Sequence, residues 1–311
     1  MSFSILFPGQ GSQSIGMLSA LAAEQSVVKE LFVEASDILS VDLWTLTQEG
    51  PIEELSQTEN TQPALLTAGV AVWQAWCAQG GPKPAMMAGH SLGEYTALVC
   101  AGAISFADGV ALVRDRGRYM QDAVPEGQGG MAAVLGLDDD TVRKVCAEAA
   151  QDDVLQAVNF NAPGQVVIAG SAAAIERGAI LLKEAGAKRA LPLPVSIPAH
   201  SSLMSAASER LAERIGTIDV SMPSIPVLHN CNVQVADNVG QIAQNLVTQL
   251  DSPVRWVESI EAMHQQGIDT FVESGPGRVL GGMIKRIIKG STVACIEKPD
   301  ALAEMISSSS K

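Results

Sequence analysis

Hydrophobic positions along the chain fall into short apolar runs alternating with longer helical patterns. "FSILFPGQGSQ" (residues 3–13) reads as a buried strand running into a Gly-rich turn, and "KPAMMAGHS" (83–91) as a second strand. Between them "PALLTAGVAVWQAWCAQGG" (63–81) has the length and apolar spacing of a helix, stopped by Gly80, Gly81 and Pro82. "LGEYTALVCAGAIS" and "FADGVALVRDRGRYMQDAV" follow as two more helices. Apolar strands alternating with helices predict a mainly parallel sheet covered on both faces.

The texture changes at the Gly-rich connector "VPEGQGG" (124–130). Beyond it come a strand "MAAVLGL", a helix "DDDTVRKVCAEAAQ" and two strands, "VLQAVNF" and "QVVIAGS", joined through "NAPG". A helix "AAAIERGAILLKEAGA" and a last strand "KRALPLPVS" complete the order βαββαβ, the ferredoxin-like pattern. After Pro198 a helix in "SSLMSAASERLAERIG", a strand "IPVLHNC", the helices "VGQIAQNLVTQL" and "VRWVESIEAMHQQG", a strand "DTFVESGPG" and a helix "VLGGMIKRIIKG" return to the first pattern. The tail "SSSSK" reads as frayed. The expected organisation is a discontinuous α/β-hydrolase-like domain over residues 1–125 and 197–311, with a ferredoxin-like subdomain inserted over 126–196.

Composition narrows the functions available. A hydrophobic fraction of 47% over 311 residues suffices for a large core, and the net charge of −14 argues against nucleic acid and against anionic membranes as partners. No stretch approaches the ~20 apolar residues of a membrane span. The five cysteines, Cys77, Cys100, Cys146, Cys231 and Cys295, are odd in number and widely spaced. They read as reduced thiols of a cytoplasmic protein, with no disulfide framework and no metal site. "MSFSILFPGQ" lacks the basic start of a signal peptide.

The candidate chemistry centres on Gly89-His90-Ser91-Leu92-Gly93, a G-x-S-x-G sequence between a strand and a helix. In a nucleophile elbow the small flanking residues let strand and helix approach closely, and the turn presents the serine beside the helix N-terminus. Serine needs a base, and the chain has four histidines. His90 leaves the turn in another direction, His264 sits among polar residues of a helix, and His229 reads as a core or rim residue. His200, in "VSIPAHSSLM", lies where the chain re-enters the large domain and is the best candidate. No acid between Ser91 and His200 falls at the end of a large-domain strand, so something other than a carboxylate is expected to orient the imidazole. "FPGQGSQSIGM" lacks the third glycine of a dinucleotide loop and fits better as a donor of backbone N–H groups and Gln10 to the serine's site. Arg114, Arg116 and Arg118 share a largely apolar helix; spacing alone does not say which, if any, turns inward.

With these residues assembled, the chain resembles the malonyl-CoA:acyl carrier protein transacylase family of bacterial type II fatty-acid synthesis. The motifs run nearly end to end: "FPGQGSQ", "TQPAL", "GHSLGEYTAL", "RDRG", "MAAVLGL", "NFNAPGQVVIAG", "ALPLPVSIPAH", "QLDSPVRW" and "ESGPGRVL". The resemblance implies ping-pong transfer of malonyl from CoA to the phosphopantetheine thiol of acyl carrier protein, without a resident cofactor, by a monomer. It implies Ser91 as nucleophile, His200 as general base and then acid, and Arg116 as partner of the malonyl carboxylate. Backbone N–H groups of Gln10 and Leu92 correspond to the oxyanion hole, and the Gln249 carbonyl to the group that orients the histidine. Asn161 and the glycines of "GPG" (275–277) correspond to pocket positions. Ala199 departs from the family, where many relatives carry serine. Lys285, Arg286 and Lys289, with Lys188 and Arg189, are expected to form a basic patch for the acidic carrier, against the alternative of an ordinary basic helix end. The other readings are a serine thioesterase or esterase on the same elbow, and an acyltransferase of polyketide synthesis or malonate decarboxylation.

Overall fold

In the computed structural model, which describes residues 2–195 and 197–309, strands β1 (Phe3–Phe7) and β2 (Met86–Gly89) are buried along their whole length, as strands covered on both faces must be. The chain then builds β3 (Gly129–Leu135), β4 (Leu155–Ala162), β5 (Gln165–Ser171) and β6 (Arg189–Pro192). It returns through β7 (Val227–Leu228), β8 (Thr270–Glu273) and β9 (Thr292–Cys295). These strands make two separate sheets. The larger is wholly parallel with the order β7-β2-β1-β8-β9, and the smaller is antiparallel with the order β4-β5-β3-β6. The fold is therefore α/β, a parallel sheet carrying a ferredoxin-like unit.

The small sheet has a core of its own. Val134, Phe160 and Ile168 pack beneath Val142 and Leu182, which project from the helices Asp139–Ala150 and Ala172–Glu184. Asp138 and Ser171 start those helices by accepting the N–H of Thr141 and of Ala174. The two units meet along β4: Phe160 N–H donates to the Val254 carbonyl at 3.0 Å, and Val254 N–H donates to Val158 at 2.8 Å.

Several boundaries differ from the sequence expectation. The helix expected from Pro63 starts at Thr58 and carries Pro63 past its first turn, where the missing N–H gives up one backbone bond, to the Glu59 carbonyl. The segment 19–55, in which the sequence reading assigned no element, folds as four short helices. The expected strand 188–196 forms as β6 only over Arg189–Pro192, with Lys188 and Leu193 still donating to the β3 carbonyls of Leu135 and Met131; its last residue, Ser196, lies outside the described residues. Edge strand β9 was not foreseen. Most of the tail expected to fray is helical as well: Pro299–Ser309 packs Leu302 and Met305 into the large core, and the apolar side of that helix ties the segment down. Ser310 and Lys311 lie outside the described residues. Among the described residues no helix is long and apolar enough to cross a membrane.

Parallel strands end on one edge of the sheet, so the loops after β1 and β2 converge there. His90 N–H donates to the Phe7 carbonyl at 3.0 Å and holds these two loops together.

Candidate active site

Ser91 sits between β2 and the helix Leu92–Cys100 with φ 51° and ψ −105°, a conformation that side chains other than glycine rarely adopt. Close packing enforces the turn. A Cβ on Gly89 would lie 1.9 Å from the Gly93 carbonyl carbon, and one on Gly93 would lie 2.1 Å from the Phe7 oxygen, so neither position accepts any side chain. The elbow read from the sequence is thus present. Leu92 opens its helix, and its N–H is among the first-turn amides that no helix carbonyl can reach.

His200 reaches this turn from the far side of the chain. Its Nε2 is 2.7 Å from Ser91 Oγ, and its Nδ1 is 2.7 Å from the Gln249 carbonyl. A carbonyl only accepts, so Nδ1 carries the proton and Nε2 receives the serine hydroxyl. Burial, then the positive charge of Arg116, pushes the imidazole pKa down to about 3. It is a neutral acceptor across the physiological range.

Of the three arginines on the helix Phe106–Ala123, Arg116 turns inward. Its side chain is 1% exposed, and Nη2 donates to Ser91 Oγ at 3.2 Å and to Gln249 Oε1 at 3.1 Å. Nη1 donates to Gln62 Oε1 at 2.9 Å, and Nε has no hydrogen-bond partner among the described residues. All of its acceptors are neutral. Burial lowers the guanidinium from its ordinary pKa, against the opposing effect of Tyr95, whose ring lies 5.1 Å beneath it. Arg118 points outward to Glu59 at 2.8 Å, and Arg114 reaches the Leu39 carbonyl.

A cavity of about 700 Å³ opens on these groups, between the sheet edge and the small subdomain. Gln10, Ser91, Leu92, Arg116 and His200 line its floor, with Met131, Asn159 and Leu193 above them. The Gln10 side chain donates to Thr58 Oγ1, and Ala199 is part of the wall.

Asn161 stands elsewhere. It is buried, is not among the cavity-lining residues, and takes a hydrogen bond at 2.8 Å from Nε2 of His90, which does line the cavity, as does Asn159, two residues earlier on β4. Strand alternation would give both asparagines one environment; register shifts at Ala157/Asn159 and Phe160/Ala162 separate them. Gly275 is buried and Gly277 half-buried in the loop after β8, where a Cβ on Gly275 would meet Pro8 at 2.9 Å, so the "GPG" segment backs the loop after β1 and is not among the cavity-lining residues. His229 is buried, and His264 pairs at the surface with Asp269, as expected of both.

The expected basic patch is divided. Arg286 donates to Gln165 Oε1 at 2.5 Å and to the Pro163 carbonyl at 2.7 Å, tying the helix Val279–Ile287 to the β4–β5 turn, and it shares a groove with Lys188. Lys285 lines a different cavity beside Cys295, and Lys289 is exposed beyond the helix end.

Sequence reasoning missed Asn230 and Gln62. Asn230 Oδ1 accepts the Ser91 N–H at 2.8 Å and its Nδ2 donates to the Gly89 carbonyl at 2.8 Å, clamping both sides of the elbow. Its position next to the β7 end was the only available signal.

Comparison with known proteins agrees with this architecture. The acyl transferase domain model matches residues 5–301. A malonyl CoA-acyl carrier protein transacylase of Salmonella typhimurium is 54% identical over 301 residues, 97% of either chain. The solved malonyl CoA-acyl carrier protein transacylase of Coxiella burnetii superposes with a TM-score of 0.98 at 47% identity, over 99% of this chain and 97% of that one. A malonyl-transacylase solved in complex with its holo type II PKS acyl-carrier protein gives a TM-score of 0.98 at 48% identity, over 99% of this chain and 100% of its own. Matched over nearly its whole length in both sequence and structure, the chain belongs to the acyl transferase domain family and, within it, to the malonyl CoA-acyl carrier protein transacylases.

Proposed function

We propose that this protein moves a malonyl group from malonyl-CoA to the phosphopantetheine thiol of acyl carrier protein through a malonyl ester on Ser91. The observation that carries the reading is Arg116: a buried guanidinium beside the nucleophile, ringed by neutral acceptors and paired with no carboxylate among the described residues. A buried cation without a countercharge is costly, and an acyl group that brings its own carboxylate removes that cost.

In the first half-reaction Ser91 Oγ attacks the thioester carbonyl as its proton passes to His200 Nε2. The new oxyanion is held by the N–H groups of Gln10 and Leu92, each worth about 3 kcal/mol in sites of this kind. The tetrahedral intermediate collapses, the C–S bond breaks, and His200 returns the proton to the departing CoA thiolate. The carrier's thiol then attacks the ester, giving its proton to His200, and Ser91 leaves with it. A neutral carbonyl behind His200, where hydrolases often place a carboxylate, keeps the imidazole weakly basic and ready to return its proton. Every proton transfer in this scheme uses Ser91 and His200, so no metal or bound cofactor is assigned to it.

Incubation with malonyl-CoA is expected to add one malonyl mass to Ser91, stable until holo acyl carrier protein discharges it. Rapid release of free malonate with no trapped ester would instead identify a thioesterase. We read the pathway served as fatty-acid synthesis, with polyketide synthesis as the second reading because a malonyl-transacylase of a type II PKS acyl-carrier protein is 48% identical.

We also propose the division into a domain of residues 1–125 and 197–311 and an inserted unit of 126–196, supported by the separate sheets and cores. The protein is read as a cytoplasmic monomer whose macromolecular partner is the carrier, with neither nucleic acid nor membrane. For carrier docking, Lys188 and Arg286, which line one groove, provide the basic surface, together with exposed Lys285 on the same helix as Arg286 and Lys289 just beyond its end. Because Arg286 also holds the β4–β5 turn, the cleaner variant is Lys188→Glu with Lys285→Glu. It should raise the KM for the carrier roughly tenfold, on the scale of about 1 kcal/mol per lost charge pair, and leave loading from malonyl-CoA unchanged. Unchanged carrier kinetics would remove the patch.

A further inference from the structure

Glu94 lies on the elbow helix three residues after Ser91, and its side chain is wholly buried. Its Oε1 accepts from His229 Nδ1 at 2.7 Å, and its Oε2 accepts from the Asn230 N–H at 2.9 Å and from Gln249 Nε2 at 2.8 Å. Gln249 Nε2 donates a second time, to the Ser91 carbonyl at 3.0 Å, while Gln249 Oε1 takes the bond from Arg116.

These contacts fix something an amide does not fix by itself. A glutamine side chain can turn over, exchanging its oxygen and its NH2. Here one end faces two groups that only accept, the Glu94 carboxylate and the Ser91 carbonyl, and the other end faces Arg116, which only donates. We propose that Glu94 is a positioning residue for acyl selectivity: through the Gln249 amide it holds Arg116 at the cavity floor, oriented and still open to an anionic acyl group.

Placing the acid one amide away matters. A carboxylate touching Arg116 would satisfy the guanidinium and compete with the substrate, whereas a neutral amide polarised by Glu94 steadies it without closing the pair. The Arg116 Nε, without a hydrogen-bond partner among the described residues, agrees with a guanidinium left incompletely satisfied. Glu94 is also among the charges that oppose the lowering of the Arg116 pKa by burial. Glutamine at position 94 can keep an oxygen against the Asn230 N–H and Gln249 Nε2 and turn its NH2 to His229 Nδ1 in the other tautomer, so what the change removes is the negative charge that locks the Gln249 amide. Held by neutral acceptors alone, the Gln249 amide is free to reverse in part of the population and present donors to Arg116, displacing it.

The inference rests on Arg116 as the malonyl partner, so the test compares malonyl-CoA with acetyl-CoA as Ser91 acyl donors, followed by intact mass. In Glu94→Gln the ratio of malonyl to acetyl loading should fall roughly ten- to a hundredfold, the scale of one hydrogen bond to a charged group. Acetyl loading should change far less. An equal fall for both donors, or an unmoved ratio, would make Glu94 merely structural and overturn the proposal. Gln249→Leu keeps the backbone carbonyl for His200 but removes the relay, and should lower the ratio similarly; it decides the question if Glu94→Gln does not fold. Adding Glu94→Gln to Gln249→Leu should lower the ratio no further, and additional loss would show that Glu94 acts by another route. A wild-type protein without malonyl preference would sink the reading of Arg116 itself, whereas a selective wild type with unmoved variants sinks only the relay.

Discussion

Alanine at His200 is expected to lower the rate of Ser91 acylation by malonyl-CoA by roughly 10⁴- to 10⁶-fold, the range found when one member of a serine–histidine unit is removed. Binding of malonyl-CoA should persist, because the cavity floor and Arg116 remain. The structural reason is narrow: His200 Nε2 is the one nitrogenous base within hydrogen-bond reach of Ser91 Oγ among the described residues, since the other contact, Arg116, only donates. The pH dependence follows from the same geometry. Burial, and after it the Arg116 charge, pushes the His200 pKa down to about 3. A lowered pKa means the base stays neutral as pH falls, so kcat/KM for loading should show no acid limb from His200 between about pH 5 and 8. Removing the Arg116 charge leaves the larger cause, burial, in place and should move the limb upward, still below the ordinary histidine value. Inactivation of Ser91 by an uncharged sulfonyl fluoride, followed against pH in wild type and Arg116→Met, reads this directly. A limb that moves downward in the variant would contradict it.

The parts legible in the sequence are those set by short-range sterics and chain order. Gly89 and Gly93 flank the serine because strand, turn and helix leave no room for a Cβ, and that demand is visible in five residues. The βαββαβ order predicted the small antiparallel sheet, and the lack of a strand-end acid before His200 left room for the Gln249 carbonyl. Relations carried by tertiary packing were hidden. Glu94 looked like one more acid in a first helical turn, where such residues usually sit in water and complement the dipole; only the fold shows it enclosed by Gln249, His229 and Asn230. Asn161 and Asn159 are two apart on one strand, and nothing local announces the register shifts that give one to His90 and the other to the cavity. Which arginine of "RDRG" turns inward was likewise undecided by spacing. The resemblance selected Arg116, and the structure supplies a reason: the next residue, Gly117, lets the helix press against Glu59, where a Cβ would come within 2.8 Å of its Cα. That approach brings the Arg116 stem beside Gln62 on the neighbouring helix.

Arg116→Ala is expected to turn a malonyl-selective enzyme into an unselective one. In the wild type the malonyl carboxylate meets a guanidinium already desolvated, so little of the pairing energy is lost to stripping water at the moment of binding. Acetyl leaves the same guanidinium with neutral neighbours alone. Breaking a buried ion pair by removing one partner costs about 3–5 kcal/mol, and here the variant strands the malonyl carboxylate against Gln62 and Gln249. Malonyl loading should therefore fall by roughly 10²- to 4 × 10³-fold, at about 1.4 kcal/mol per tenfold. Acetyl loading should hold or rise, because the space vacated by the arginine admits an uncharged acyl group and the unpaired cation is gone. The measurement is transfer to carrier protein from a panel of acyl-CoAs that differ in chain length and terminal charge. Losses confined to donors with a carboxylate, at every chain length, would tie Arg116 to charge and not to shape. A uniform loss across the panel would mean that its contact with Ser91 Oγ outweighs any role in selection, and unchanged selectivity would remove it from the site's chemistry altogether.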